Sequence, residues 1–369
     1  MAPRRSARVR VHNREQDVKH VKPIQVNNLA GRRLNTKGLP TMPAELLLEI
    51  LSHLQAAPIP NTDKLLDGRY RERNTVLRAL SQTCRSLRSA LLPLVWERID
   101  VLNDSYHSGR ASDWCKIMAT DLVEQLEIVT VREPSFAAYV KTVNVTITGY
   151  SDIRVLRELA RCLALMPNLQ TIQIVDMLDF ACSWRSKNDP RTSVEAIFER
   201  AFKLCSFPSV QQVILPVRAR MLFKCFPNAH RVYLNPALRR YYIRPPNHDF
   251  DSFNQYLLEV AKHCQNVEEF DCFDELGQNS MDLVLSTFPK LRSMRIYVRQ
   301  INMAFISRLS ELKKLEKIEL IAPNWSQSFQ EKRMEAMRVL ENSPVETNRK
   351  MLVTRIKSGD RVEVVKFTP

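Results

Sequence analysis

The stretches MPNLQTIQIVDM at residues 166–177 and FPKLRSMRIYV at residues 288–298 share one pattern: a Pro-containing turn, an apolar residue, then two more apolar residues three and five places on. Seven windows carry this 0, +3, +5 spacing: Val140, Val143, Val145; Leu169, Ile172, Ile174; Val210, Val213, Leu215; Ala229, Val232, Leu234; Val267, Phe270, Cys272; Leu291, Met294, Ile296; and Leu315, Ile318, Leu320. Residues at +3 and +5 fall on one face of an extended chain, so each window predicts a short strand. Four windows are led in by MPNL, FPSV, FPNA or FPKL; Pro disfavours helix in the residue before it and marks a turn entering the strand. Between windows, Val155 to Leu165, Ser193 to Leu204, Phe253 to Cys264 and Met281 to Phe288 carry apolar residues at helical spacing. Strands alternating with helices predict an α/β fold.

The 0, +3, +5 core resembles the LxxLxL core of a leucine-rich repeat, in a divergent form. The steps between windows are 29, 41, 19, 38, 24 and 24 residues, and only the last two lie within the usual repeat of about 20–29. The Asn of the family at +8 is absent from the last six windows, which place Met177, Arg218, Ala237, Glu275, Arg299 and Pro323 there. The resemblance therefore implies an irregular solenoid whose loops satisfy their backbone amides by other means. In such a solenoid, residues at +2 and +4 face away from the helices and line a concave sheet. These include Thr142, Asn144, Thr171, Gln173, Gln212, Ile214, Arg231, Tyr233, Glu269, Asp271, Ser293, Arg295, Lys317 and Glu319. From them Gln173, Gln212, Arg231, Tyr233, Glu269, Asp271 and Arg295 are taken as substrate-facing candidates. A face polar and mixed in sign suits a protein ligand better than a small molecule.

Within this region, Arg200 to His248 holds nine Lys or Arg and no Asp or Glu, interleaved with Phe223, Phe226, Tyr233, Tyr241 and Tyr242. Arg239 and Arg240 join the substrate-facing candidates on that ground. Guanidinium groups beside aromatic rings can hold an acidic or phosphorylated peptide; a solvated basic face whose partners are carboxylates elsewhere in the fold is the other reading.

Upstream, MPAELLLEILSHL at 42–54 and LRALSQTCRSLRSALLPLVW at 77–96 read as two amphipathic helices. Thr41, Met42 and Pro43 open the first, with Pro in the first turn where its missing N–H costs nothing. Leu46, Leu47, Ile50, Leu51 and Leu54 give its apolar stripe. The second is expected from about Asn74, with a stripe of Leu77, Leu80, Cys84, Leu87 and Leu91, and with Pro93 as its stop. The order of Met42-Pro43, Glu45-Leu46, Ile50-Leu51, Leu54, Leu80-Ser81, Cys84-Arg85, Leu87-Arg88, Pro93 and Trp96 resembles an F-box of the fungal type, with a connection over 55–73 longer than the family's. The resemblance implies a docking surface for a Skp-type adaptor, built from Met42, Pro43, Leu46, Ile50, Leu51, Leu54, Leu80, Leu87 and Trp96. Sequence alone does not divide the residues that touch the adaptor from those that form the local core.

The chain has 369 residues and a formal net charge of +15, with 44% hydrophobic residues. Residues 1–38 carry ten Lys or Arg against Glu15 and Asp17, a net of +8, with too few apolar residues for a core. This basic arm fits a nuclear-localisation signal, a nucleic-acid contact, a transit peptide or a plain solvated extension. Eight cysteines are scattered without a CxxC pair and read as reduced thiols of a cytoplasmic or nuclear protein. Seven glycines, with no GxxxxGK[ST], GxGxxG, GxSxG or HExxH pattern, signal neither a phosphate-cradling loop nor a hydrolase site. His263, Cys264, Asp271 and Cys272 match no usual zinc spacing. No cofactor or metal is expected. Residues 326–342 read as an amphipathic helix using Phe329, Met334, Met337, Val339 and Leu340 to cap the open end of a solenoid, and 351–367 as a hairpin around SGD.

The expected organisation is a basic arm over 1–38, a small all-helical F-box over 39–102, a leucine-rich-repeat-like recognition domain over 103–345 and a C-terminal hairpin over 346–369. The resemblances imply a non-catalytic substrate receptor of a Skp/cullin/F-box ubiquitin ligase. A basic nucleic-acid-binding protein, supported by a pI near 9.6, and a repeat scaffold without an adaptor are the alternatives.

Overall fold

The computed structural model describes residues 42–54, 69–101, 111–150, 152–177, 194–234, 250–272, 278–298, 302–356 and 361–367. Among them are ten strands: Arg98–Val101 (β1), Thr142–Thr148 (β2), Thr171–Met177 (β3), Gln212–Leu215 (β4), Arg231–Leu234 (β5), Glu269–Cys272 (β6), Ser293–Tyr297 (β7), Lys317–Ala322 (β8), Met351–Ile356 (β9) and Arg361–Lys366 (β10). They form one sheet in which spatial order equals chain order. β1 to β9 are parallel and β10 returns antiparallel on β9. The α/β class expected from the alternating windows is the class adopted.

The register explains the spacing. Val143, Ile172, Val213, Val232, Phe270, Met294 and Ile318, the +3 residues of the seven windows, stand opposite one another from strand to strand. The row continues to Ile99 on one side and Leu352 on the other. Every 0 and +3 residue, and every +5 residue whose side chain is described, is buried. So are the residues at −3, namely Ala137, Met166, Phe207, Phe226, Cys264, Phe288 and Leu312. In six of the windows the N–H at 0 closes a turn onto the carbonyl at −3, as Leu169 does on Met166 at 3.3 Å and Leu291 on Phe288 at 3.0 Å. Phe and Met before the Pro thus act as plugs of the turn that delivers each strand.

A second repeat lies in the backbone. The carbonyl at +1 of one window accepts the N–H groups at +1 and +2 of the next: Glu97 from Lys141 and Thr142, Lys141 from Gln170 and Thr171, and onward through Arg292 from Glu316 and Lys317. Side chains at −1 add to it. Asn168 Nδ2 donates to the Ala138 carbonyl at 2.7 Å and Asn228 Nδ2 to the Pro208 carbonyl at 2.9 Å, while Lys290 Nζ meets Asn266 Oδ1 at 2.6 Å. Such bonds satisfy turn groups that the missing +8 Asn would otherwise serve.

The helices between strands are Ala111–Glu127 (α4), Asp152–Leu163 (α5), Val194–Ala201 (α6), Phe250–His263 (α7), Gln278–Thr287 (α8), Met303–Arg308 (α9) and Gln327–Asn342 (α10), with a 3-10 segment Val217–Cys225 after β4. They touch in chain order: α4 with α5, α5 with α6, α6 with the 3-10 segment, that segment with α7, α7 with α8, and α9 with α10. Their apolar sides supply the buried partners of the +3 and +5 rows. In α10, capped by Ser326 Oγ accepting from Phe329 N–H at 3.2 Å, Phe329, Val339 and Leu340 are buried but Met334 is 54% exposed. That helix does not end the sheet, because β9 and β10 lie beyond β8.

Three helices precede the sheet: Ala44–Ser52 (α1), Arg69–Thr83 (α2) and Arg85–Val95 (α3). The single second helix expected from Asn74 is two helices, beginning at Arg69 and broken at Cys84. Cys84 is extended (φ −156°, ψ 165°) and caps α3, its Sγ accepting from Leu87 N–H at 3.5 Å. Pro93 does not stop α3, which runs on to Val95; Pro93 sits in its last turn, and Trp96 N–H still bonds the Leu92 carbonyl at 3.1 Å. Residues 98–101, grouped by sequence with the helices, are the first strand of the sheet.

Candidate functional site

Helix α1 begins at Pro43, whose carbonyl accepts from Leu46 and Leu47 N–H at 3.1 and 3.2 Å; Pro43 is the cap itself and no side chain caps this end. Thr41 lies outside the described residues. Of the five large apolar side chains in this nine-residue helix, Leu47 and Leu51 are buried, at 5% and 7% exposure. Leu46, Leu48 and Ile50 remain 55%, 51% and 50% exposed, and Pro43 is exposed beside them. At 3.6 residues per turn Leu46 and Ile50 share one side of α1, whereas Leu48 is exposed on the other side of the buried pair Leu47 and Leu51. Met42, Leu54 and Leu80 are half-buried, and Leu87 and Trp96 are buried. The structure thus divides the nine candidates: Pro43, Leu46 and Ile50 are open to a partner, while Leu51, Leu87 and Trp96 are core.

Trp96 has a second assignment. Trp96, Ile99 and Val101 repeat the 0, +3, +5 spacing, and all three are buried. Its indole stacks on Phe136 (5.8 Å, 22°) and lies under the Arg78 guanidinium of α2 at 5.8 Å. Glu97 beside it reaches Lys141 at 3.2 Å and Arg73 at 3.8 Å. The helices therefore join the sheet through a packed residue pair.

On the sheet face opposite the helices, the +4 row is buried apart from the half-buried Arg295: Asn144 and Gln173 are at 0%, Tyr233 at 7%, Asp271 at 0% and Glu319 at 2%. This corrects the expectation that +2 and +4 both line an open surface. Strands about 4.8 Å apart crowd long side chains, and here ion pairs draw them together. Arg231 meets Glu269 at 3.1 Å, whose other oxygen accepts from Tyr233 Oη. Arg295 lies over the Tyr233 ring at 5.3 Å and reaches both Asp271 and Glu319 at 3.4 Å. Lys317 and Arg355 close on Glu319, the former at 3.7 Å. Burial alone would raise the Glu319 pKa, but Arg295, Arg355 and Lys317 outweigh it and hold the carboxyl below its usual range. Burial first, then Glu269, pushes the Tyr233 phenol upward. Asp271, Glu319 and Arg295 lie deep, whereas the Arg231, Lys317 and Arg355 side chains are 47%, 33% and 49% exposed. Gln212 and Glu269 are half-buried.

The basic-aromatic stretch resolves in part. Phe223 and Phe226 are core residues at 0% exposure rather than an aromatic surface. Arg220 faces Glu195 at 3.9 Å and Lys224 faces Glu199 at 3.7 Å, so both have the carboxylate partners of the solvated-face reading. Arg239, Arg240, Tyr241 and Tyr242 lie outside the described residues. Among the described thiols, burial pushes Cys162 and Cys225 up to about 11 and Cys264 to about 12, which keeps them protonated near neutrality. Among the described residues no three His, Cys, Asp or Glu side chains converge as metal ligands, and no helix is long and apolar enough to cross a membrane.

Neither a model of any protein family nor any curated protein matches the chain.

Proposed function

We propose that the chain is an F-box substrate receptor of a Skp/cullin/F-box ubiquitin ligase and is not itself catalytic. In this reading α1 docks a Skp-type adaptor, and the sheet, as a divergent leucine-rich-repeat-like solenoid, holds a protein target. The reading rests on α1: Leu46 and Ile50, two large apolar side chains on one side of a short helix, are about half exposed, in a segment whose order of Leu, Pro, Cys, Arg and Trp resembles the F-box. Apolar area removed from water contributes about 25 cal/mol per Å², so covering this side with a partner helix is favourable.

The mechanism is approximation. With adaptor and target on one body, ubiquitin transfer gains from raised effective concentration while the bond-making chemistry belongs to other subunits. The direct passage of α3 into β1 through Trp96 and Glu97 supports a target held at a fixed distance from the adaptor. Arg231, Lys317 and Arg355 stay partly open while paired with Glu269 and Glu319, and this face of mixed sign favours a polar protein target.

Co-purification with the adaptor tests the reading, wild type against a Leu46→Asp and Ile50→Asp double variant. Both positions are open, so the variant keeps its fold and loses the adaptor. A wild type that captures no adaptor, or a double variant that captures it equally well, refutes the assignment.

A further inference from the structure

Strand β10 closes one end of the sheet, and among the described residues β9 is its only paired neighbour. The direction of its backbone groups follows from two bonds. Phe367 N–H donates to the Lys350 carbonyl at 3.4 Å, and Thr354 Oγ1 donates to the Glu363 carbonyl at 3.5 Å. Odd-numbered residues therefore point their N–H and C=O toward β9. In an antiparallel ladder these groups alternate from residue to residue, so Val362, Val364 and Lys366 point theirs away from the sheet. The same three residues have exposed side chains, Val362 and Val364 each at 50%. Val362 stands opposite Arg355 and Val364 opposite Val353, which places both valines on the face that carries no helices.

We infer that a second copy of this chain pairs with β10 through the same strand, joining two sheets edge to edge about a two-fold axis at Val364. The occupant follows from self-complementarity. With Val364 opposite Val364, all of Arg361 to Phe367 overlaps: Val362 faces Lys366, Glu363 faces Val365 and Arg361 faces Phe367. No like charges oppose, and each outward residue finds an outward residue, as a hydrogen-bonded pair requires. One step to either side is worse. Centring on Glu363 sets two acids opposite each other. Centring on Val365 shortens the overlap and centring on Lys366 opposes two ammonium groups. The paired arrangement covers an exposed strand edge and the two exposed valines. It is small beside the roughly 1,600 Å² of a standard interface, so the dimer dissociates on dilution.

Full-length protein tests this in two ways. Sedimentation across a concentration series should give a monomer–dimer equilibrium for wild type and monomer for Val364→Pro. That proline removes only an outward N–H and leaves the β9 ladder intact, which circular dichroism checks. Independently, Val364→Cys should form an intersubunit disulfide under mild oxidant, since hydrogen-bonded partners lie about 5.5 Å apart between Cα atoms. Val362→Cys should not, its two copies being offset by four residues, about 14 Å; wild type supplies the background from its own thiols. A wild type that is monomeric throughout, a Val364→Pro dimer as strong as wild type, or equal crosslinking at 362 and 364 overturns the inference.

Discussion

Helix α1 and the seven strand windows are built from the same kind of residue, yet the windows bury each described apolar position and α1 leaves three large side chains half in water. The difference lies in what each element meets. A +3 residue such as Met294 has a neighbour on both adjacent strands and the helix layer in front of it. Helix α1 has nine residues, buries Leu47 and Leu51, and leaves Leu46, Leu48 and Ile50 about half exposed. Equal hydrophobicity thus serves folding in one region and, under the proposed function, association in the other. Substitutions should separate the two.

The largest effect is expected in the windows. Phe270 is 1% exposed and stacks on Phe288 at 5.2 Å; Phe270→Ala should cost about 3–5 kcal/mol in urea denaturation without touching α1. A loss under about 1 kcal/mol would mean that the row is loosely packed and the comparison fails. Next comes the sheet's charged face, where Glu319→Gln leaves Arg295 with Asp271 alone and takes the carboxylate from Lys317 and Arg355, and should cost about 1–3 kcal/mol. The pH dependence has a definite sign. The folded Glu319 carboxyl titrates below its unfolded value, so its contribution is complete above the unfolded pKa of about 4.3 and fades as pH falls through the lower folded value. Wild type should lose stability relative to Glu319→Gln over that acid interval. A constant difference between the two across it would remove the ion pairs from the account.

How far the sequence carried differs by region for physical reasons. Spacings of 0, +3 and +5 mark the strands because each such residue is buried on a period-two element. Four of the intervening helices, α5 to α8, are legible from the same burial, whereas α4 and the six-residue α9 are not. Strand β1 is hidden in the sequence although Trp96, Ile99 and Val101 have the spacing: the turn lead-in is replaced by α3, and Trp96 also fits the helical segment. The break at Cys84 was hidden because the stripe Leu77, Leu80, Cys84, Leu87, Leu91 keeps helical period across it, while a thiol is a weak acceptor and an uncommon cap. On the sheet face, alternation located the +4 row but not its burial. For Asp271 and Glu319 the depth goes with ion pairs to residues far apart in sequence, Arg295 and Arg355, and no local pattern records them. In α1 the helix is legible, whereas its open side is not, because the buried Leu47 and Leu51 and the exposed Leu46 and Ile50 belong to the same apolar stripe.

A smaller effect is expected at the turns. Asn168→Ala and Asn228→Ala each remove one side-chain bond to the carbonyl of a preceding turn, and each should cost about 0.5–1 kcal/mol. The double variant should be additive, because the two bonds share no partner; strong non-additivity would show that the turns form one cooperative ladder.

The smallest change in stability, and the sharpest test of the contrast, belongs to α1 itself. Leu46 and Ile50 each keep about half their surface in water, so Leu46→Ala and Ile50→Ala should shift thermal unfolding by no more than about 0.5 kcal/mol each. Against an adaptor the same truncations remove buried contacts and should weaken binding by about tenfold or more apiece, since 1.4 kcal/mol is a factor of ten. Leu47→Ala should behave in the opposite way, costing about 2–3 kcal/mol of stability with its effect on adaptor affinity following from the lost fold. Titration calorimetry with the adaptor and denaturation of the free chain, run on all three variants, place each residue on one axis or the other. Should Leu46 and Leu47 respond alike on both, α1 has no separate open side, and the helix is only a loosely covered part of the core.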